Sequence, residues 1–280
     1  MHILYATDGS EGALAAARFL KLIPLSHPEL SLITVVGDVE DGKGEQALTS
    51  ARDALRGADV VITSEILRGH PAEEILRAAE AKRPDLLVLG SRGLGAVASF
   101  FLGSVAVRVA RHAPCPVLVA RPPKGKLDRV VVGVDGSDCA AYAADWTLRL
   151  PLPEGCEIDL ITVVTPRAQA MTMSRALLSP ALLAEMKTIM QLERKEALER
   201  LADLAATFAA AGKKAVPGIR PDHPALGLLS AAEERQADLI VLGAHGLSAL
   251  DRLLLGSVSG HVLRYAHCSV LVVRPCRRVS

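Results

Sequence analysis

The sequence predicts an α/β protein built of two tandem domains, each a parallel β-sheet covered by helices on both faces. Two observations predict it. Short runs rich in Val, Ile and Leu alternate with longer amphipathic stretches along the chain, the order expected where strands are buried on both sides and joined by helical crossovers. One set of motifs also occurs twice at a constant offset of 153 residues: Gly90-Ser91-Arg92-Gly93, then Gly103-Ser104-Val105, recurs as Gly243-Ala244-His245-Gly246, then Gly256-Ser257-Val258. The same offset carries His70-Pro71-Ala72 onto His223-Pro224-Ala225, Asp85-Leu86 onto Asp238-Leu239 and Cys115 onto Cys268. An ungapped repeat of this length is a duplicated domain.

The elements follow in order. Residues 3–7 read as a first strand, and Asp8-Gly9-Ser10 supplies the turn and N-cap of a helix over 11–22. Strands follow over 30–36, 60–67, 86–89 and 117–120, with helices over 44–56, 71–82 and 104–112 between them. The second copy repeats the strands over 130–134, 158–164, 215–219, 239–242 and 270–273. Pro122-Pro123-Lys124-Gly125-Lys126 denies ladder donors and favours solvent, which sets the domains at 1–123 and 127–280. The second copy is expanded over 166–212. Ser179-Pro180 reads as an N-cap and first helical position, and Leu183, Met186, Met190, Ala197, Leu201, Leu204 and Phe208 recur on one helical face that stops at Gly212. An enlarged surface helix packed on its own domain is expected there, with a lid or partner-binding helix as the alternatives.

Composition excludes several classes. The 280 residues carry a net charge of +1 with both signs interspersed, and 50% are hydrophobic. Real cores are expected, with no basic stripe for nucleic acid and no cluster for anionic lipid. The N-terminus reads as a strand and not a signal peptide, and the longest uncharged stretch, 93–107, is too short to span a bilayer. A cytoplasmic protein is expected. Cys115, Cys139, Cys156, Cys268 and Cys276 show no CxxC pair and no metal-ligand spacing; Cys115 and Cys268 read as small buried residues.

Two signals sit at strand ends, where open parallel sheets bind ligands. The first strand of each copy stops at Thr7-Asp8 or Val134-Asp135, and the fourth at Gly90 or Gly243. If strands one and four are neighbours, each aspartate and its glycine loop flank one crevice, the carboxylate suited to ribose or base and the loop with the next helix N-terminus suited to phosphate. Asp-Gly-Ser is also ordinary turn chemistry, and a lone Gly-x-x-Gly is weak evidence. The joint pattern, with a hydroxyl after the third glycine, carries the reading. Gly37-Asp38-Val39-Glu40-Asp41-Gly42-Lys43-Gly44 nearly matches a Walker A loop, but it lacks the final Ser or Thr and holds three carboxylates, so it reads as an acidic connection. His70 and His223 read as loop residues leading into helices, since no partner spacing nominates a triad.

With these motifs, and with Asp-Leu-Ile-Val-Leu-Gly and Ala-Pro-Cys-Pro-Val-Leu-Val phrases around them, the chain resembles a tandem universal stress protein of the ATP-binding class over nearly its whole length. The resemblance implies Rossmann-like, adenine nucleotide alpha hydrolase-like domains with strand order 3-2-1-4-5. It also implies an internal pseudo-dimer in which the last strands, 117–120 and 270–273, pair antiparallel and so cover each other's edge. ATP with Mg2+ is the implied cofactor. Thr7, Asp8, Val134 and Asp135 would lie near the nucleoside and Val35 and Val163 beside the adenine. Gly90, Gly93, Gly103, Ser104, Val105, Gly243, Gly246, Gly256, Ser257 and Val258 would surround the phosphates. Arg92 and His245 occupy matching loop positions, where they either meet phosphate or face solvent. Ser259 stands where the first copy has Ala106, and the family often places a hydroxyl there, so the second site is expected to be at least as competent as the first.

The function expected is a nucleotide-dependent regulatory module in stress response, with an unidentified protein partner and a possible homodimer of tandem chains. A slow ATP hydrolase and a nucleotide-independent scaffold are the alternatives. The glycine loops lack a Walker lysine and an evident general base, so any turnover is expected to be weak.

Overall fold

The computed structural model describes residues 1–37, 41–93, 102–165, 180–246 and 255–274. The first half runs β1 (His2–Ala6), α1 (Glu11–Leu20), β2 (Glu29–Val36), α2 (Asp41–Ala54), β3 (Val61–Arg68), α3 (Pro71–Lys82), β4 (Leu86–Gly90), α4 (Ser104–His112) and β5 (Val117–Ala120). The second runs β6 (Arg129–Gly133), α5 (Asp138–Arg149), β7 (Glu157–Val164), α6 (Pro180–Ala210), β8 (Lys214–Pro221), α7 (Pro224–Glu234), β9 (Leu239–Gly243), α8 (Ser257–Tyr265) and β10 (Ser269–Val273). Asp38 to Glu40 of the Walker-like segment lie outside the described residues. Its remainder, from Asp41, opens α2 and is helix, not connection.

Each half orders its strands 3-2-1-4-5, and the two sheets fuse into one of ten strands, β3-β2-β1-β4-β5-β10-β9-β6-β7-β8. Every pairing is parallel except the central one, where Val117, Leu118 and Val119 of β5 lie opposite Val272, Leu271 and Val270 of β10. Buried strands with apolar residues on both faces feed two cores. Ile3 and Tyr5 of β1 point to one core, with α1, α2, α5 and α6. Leu4 and Ala6 point to the other, with α3, α4, α7 and α8. Both cores run through both halves. The outer strands β3 and β8 are half-exposed, and β8 carries Pro217 and Pro221, residues that blunt an open edge.

Several repeated motifs have structural tasks. A carboxylate oxygen of Asp85 accepts from the His2 N–H at 2.8 Å, and Asp238 does the same for Asp128 and Arg129 at 2.9 and 3.0 Å, pinning the starts of β1 and β6. His70 and His223 are N-cap residues of α3 and α7, without a side-chain cap bond and followed by proline at the first helical position. Cys115 and Cys268 are buried, and burial pushes the Cys268 thiol up to about 12.

The expanded segment resolves into two parts. The offset between the copies is 128 at Val36 and Val164 but 153 from β3 and β8 onward, so the C-terminal half of α6 is the counterpart of α2 and the insertion precedes it. Burial agrees: Gly44, Leu48 and Leu55 are buried in α2 or just after it, as are Ala197, Leu201 and Phe208 on the long helix. Gly212 has φ +73, a left-handed stop. Ser179 and the side chains of Leu183 and Met186 lie outside the described residues.

Two equivalent arginines cross the central junction. The guanidinium of Arg121, just after β5, donates to the carbonyls of Leu263 and Arg264 at the C-terminal end of α8. Arg274, just after β10, donates to those of Ala110 and Arg111 in α4. Each half thus supplies a cation to the last-turn carbonyls of the other, where orphan acceptors and the helix dipole favour positive charge.

Candidate functional site

The turn after the first strand is built the same way in both halves. Thr7 is buried, its N–H donating to the Ile33 carbonyl at 2.9 Å and its Oγ1 accepting from Gly9 N–H at 3.1 Å. Asp8 Oδ1 accepts from Ser10 N–H at 3.0 Å, and Ser10 Oγ accepts from Ala13 N–H at 3.2 Å to cap α1. In the second half Val134 is buried, Asp135 Oδ1 accepts from Ser137 N–H at 2.9 Å, and Ser137 caps α5 through Ala140 N–H at 3.2 Å. Gly9 and Gly136 have φ +75 and +82, a conformation L side chains rarely adopt.

Parallel pairing of β1 with β4 and of β6 with β9 sets each glycine loop beside its aspartate. The contact is close. A Cβ on Gly93 would run into Asp8 Oδ2, and one on Gly246 would lie 2.7 Å from Asp135 Oδ2. One carboxylate oxygen therefore serves the turn while the other faces the loop. The strand-end glycines act differently: a Cβ on Gly90 would strike the backbone of Gly12 and Ala13, and one on Gly243 would lie 2.7 Å from the Cys139 carbonyl carbon. They let α1 and α5 pack against the ends of β4 and β9.

The third glycine of each pattern is a helix N-cap. Gly103 N–H donates to the Ser91 carbonyl at 2.9 Å and Gly256 N–H to the Ala244 carbonyl at 2.7 Å, drawing the loop ends together. Neither N-cap glycine supplies a side-chain cap bond to α4 or α8, and the first turn of each helix presents its N–H groups with the positive end of the helix dipole. Ser104 and Ser257 are exposed in that turn, while Val105 and Val258 are half-buried against the core. Val35 and Val163, near the ends of β2 and β7, are half-buried on the same side of the sheet. Residues 94–101 and 247–254, the middle of each loop, lie outside the described residues.

Two expectations take a different form. Ser259 is buried, and its hydroxyl donates to the Gly243 carbonyl at 2.7 Å; it ties α8 to the first glycine of the pattern and lies 3.7 Å from a Cβ placed on the third, Gly256. His245 lies in the loop but does not face solvent: it is 8% exposed, and its carbonyl accepts from Ser137 Oγ at 3.4 Å. Arg92 is half-buried, and its carbonyl lies 2.6 Å from where a Gly12 Cβ would be.

The sequence reading missed Arg200. Its guanidinium, from α6, lies 3.0 Å from a Cβ placed on Gly136, where the first half presents Ala47 of α2 over Gly9 at 2.9 Å. Ala47 and Arg200 obey the 153-residue offset, the signal that would have found it. At this position the second turn meets a guanidinium where the first meets an alanine.

The donor set fits a nucleotide. Glycine cradles that a Cβ would fill, glycine-capped helix N-termini and, in each half, an aspartate oxygen facing the glycine loop answer to phosphate and to ribose or base. Among the described residues no three His, Cys, Asp or Glu side chains gather around a metal position. No described helix is long and apolar enough to cross a membrane.

Comparison with known proteins gives a consistent result. The sequence model of the universal stress protein family matches residues 1–121 and again 126–274. A universal stress protein of Mycobacterium bovis is 31% identical over 239 residues, covering 82% of this chain and 71% of its own. One of Thermus aquaticus is 38% identical over 133 residues, covering 42% of this chain and 97% of its own. Among solved structures, a universal stress protein from Archaeoglobus fulgidus superposes with a TM-score of 0.67 at 22% identity, covering 98% of each chain. At that identity the likeness is one of fold.

Proposed function

The chain belongs to the universal stress protein family, and on that premise we propose that it is an ATP-binding regulatory module with one nucleotide site in each half. The observation that carries the reading is the same juxtaposition made twice: an aspartate oxygen facing a glycine loop across neighbouring strands, with a glycine-capped helix N-terminus completing the crevice. Asp8 and Asp135 take the nucleoside, Val35 and Val163 flank the adenine, and the loop N–H groups with Ser104 and Ser257 meet the phosphates, Mg2+ accompanying them. Backbone dipoles and hydroxyls stabilise ground-state charge without a positioned base, so the bound nucleotide acts as a signal through conformation and an as yet unidentified protein partner, and turnover stays below about 1 per second. The site boundaries, the domain limits at 1–123 and 127–280 and a dimer of tandem chains belong to this reading.

The test uses the third glycines. A Cβ on Gly103 meets only ordinary contacts, the nearest at 3.5 Å, and its φ of −64 suits any residue; Gly256 has φ −61 and a nearest contact of 3.1 Å. Gly103→Val and Gly256→Val together should leave the fold intact and block phosphate. Mass spectrometry of nucleotide released from the purified protein should identify an adenine nucleotide. Calorimetric titration with ATP should show roughly a tenfold or greater loss in the double variant. Equal binding by the folded double variant would reject the site, and loss-sensitive hydrolysis at ordinary enzymatic rates would make the protein an enzyme.

A further inference from the structure

A groove of about 600 Å3 runs along the outward face of α4. Leu102, Ser104 and Val107 line one part of it, Arg108, Arg111 and His112 of α4 the rest, and Arg264 comes across from α8. Arg111 and Arg264 are equivalent residues of the two copies, so the relation that pairs β5 with β10 also brings both guanidinium groups to one groove.

The charge is poorly compensated. Arg108 pairs with Glu73 at 3.0 Å, but among the described residues no carboxylate pairs with Arg111 or Arg264. Arg274 adds another cation from beneath, its guanidinium held on the Ala110 and Arg111 carbonyls. His112 is held below the usual imidazole range by burial and then by Arg111, Arg108 and Arg274. A protein of net charge +1 thus concentrates positive potential in one concave place, which raises the local concentration of anions.

We propose that this groove, which adjoins the first nucleotide site at Ser104 and extends from it along α4, is an anion site that takes a small condensed phosphate. Arginine forks match phosphate oxygens in pairs, which lysines and backbone dipoles do not. The volume is that of a small-molecule site, for which roughly 300 to 1,000 Å3 is usual. The bounded volume of the groove suits a compact anion better than an extended nucleic-acid backbone. Arg111 and Arg264 grip the ligand from opposite sides, and Arg108 turns to it from Glu73.

Tripolyphosphate is the probe. Titrated calorimetrically at about 0.15 M salt, where diffuse surface attraction is largely screened, it should bind saturably to the full chain. Binding should weaken roughly tenfold or more in Arg111→Gln with Arg264→Gln and stay unchanged in Arg77→Gln with Arg149→Gln, which removes the same formal charge elsewhere. Both pairs are exposed, and thermal melts should confirm that both variants fold. Binding should also persist in Gly256→Val, whose position lies outside the groove lining, whether or not that glycine serves ATP. Absence of saturable binding, equal loss in the charge-matched control, or loss in the glycine variant with survival in the groove variant would each overturn the proposal.

Discussion

Asp8 and Asp135 divide their carboxylate oxygens between two tasks, one closing the Asp-Gly-Ser turn and one facing the glycine loop. Structural and ligand readings of these residues are therefore compatible, since a turn that fixes the carboxylate also aims it. Ser259 divides nothing: its buried hydroxyl is given to the Gly243 carbonyl. Ser259→Ala should leave that acceptor short of a partner at a cost of about 1 to 3 kcal/mol. Denaturant midpoints should show the loss, while ATP affinity measured by calorimetry stays within about twofold. A large loss of affinity with unchanged stability would return Ser259 to the phosphates. Sequence alone had no means of choosing, because a hydroxyl one turn into a helix serves a strand carbonyl or an incoming phosphate from the same position.

At the scale of elements, α6 behaves as two helices in one. Its C-terminal half repeats the crossover packing of α2, with Leu201 fully buried, while Leu192 is 55% exposed. Leu201→Ala should cost about 2 to 5 kcal/mol and Leu192→Ala within about 0.5, read from denaturant unfolding. The reciprocal arginines give a second contrast. Burial lowers the pKa of both guanidinium groups, and Arg274 additionally buries an Nε with no hydrogen-bond partner. That orphan donor offsets part of what its two carbonyl bonds supply. Arg121→Met should therefore destabilise more than Arg274→Met, by about 1 kcal/mol or more, in equilibrium unfolding of the two variants. Neither arginine stood out in the sequence: each follows an apolar strand like an ordinary boundary charge, and its acceptors lie some 140 to 165 positions away along the chain.

Across the whole molecule, a single sheet and two cores run through both halves. Heating should give one calorimetric transition whose van't Hoff and calorimetric enthalpies agree. Residues 1–123 expressed alone leave β5 with an open edge and should pair with a second copy of themselves, visible as a dimer by light scattering. Two separate transitions in the full chain, or a stable monomeric half, would contradict this. The strand alternation, the duplication and the central antiparallel pairing were legible because apolar period, constant offset and family resemblance all bear on backbone topology. The Arg200 contact, the groove and the crossed arginines were not, because they depend on which side chains a fused pseudo-dimer brings together.

Arg200 over one aspartate turn and Ala47 over the other has a consequence for how such a protein changes over generations. In a dimer of identical chains every substitution strikes both pockets at once, so a variant that spoils binding removes all of it. Fusing the copies lifts that coupling. One pocket can drift toward a different affinity or a different anion while its twin keeps the inherited task, and a single polypeptide then reads two concentrations instead of one.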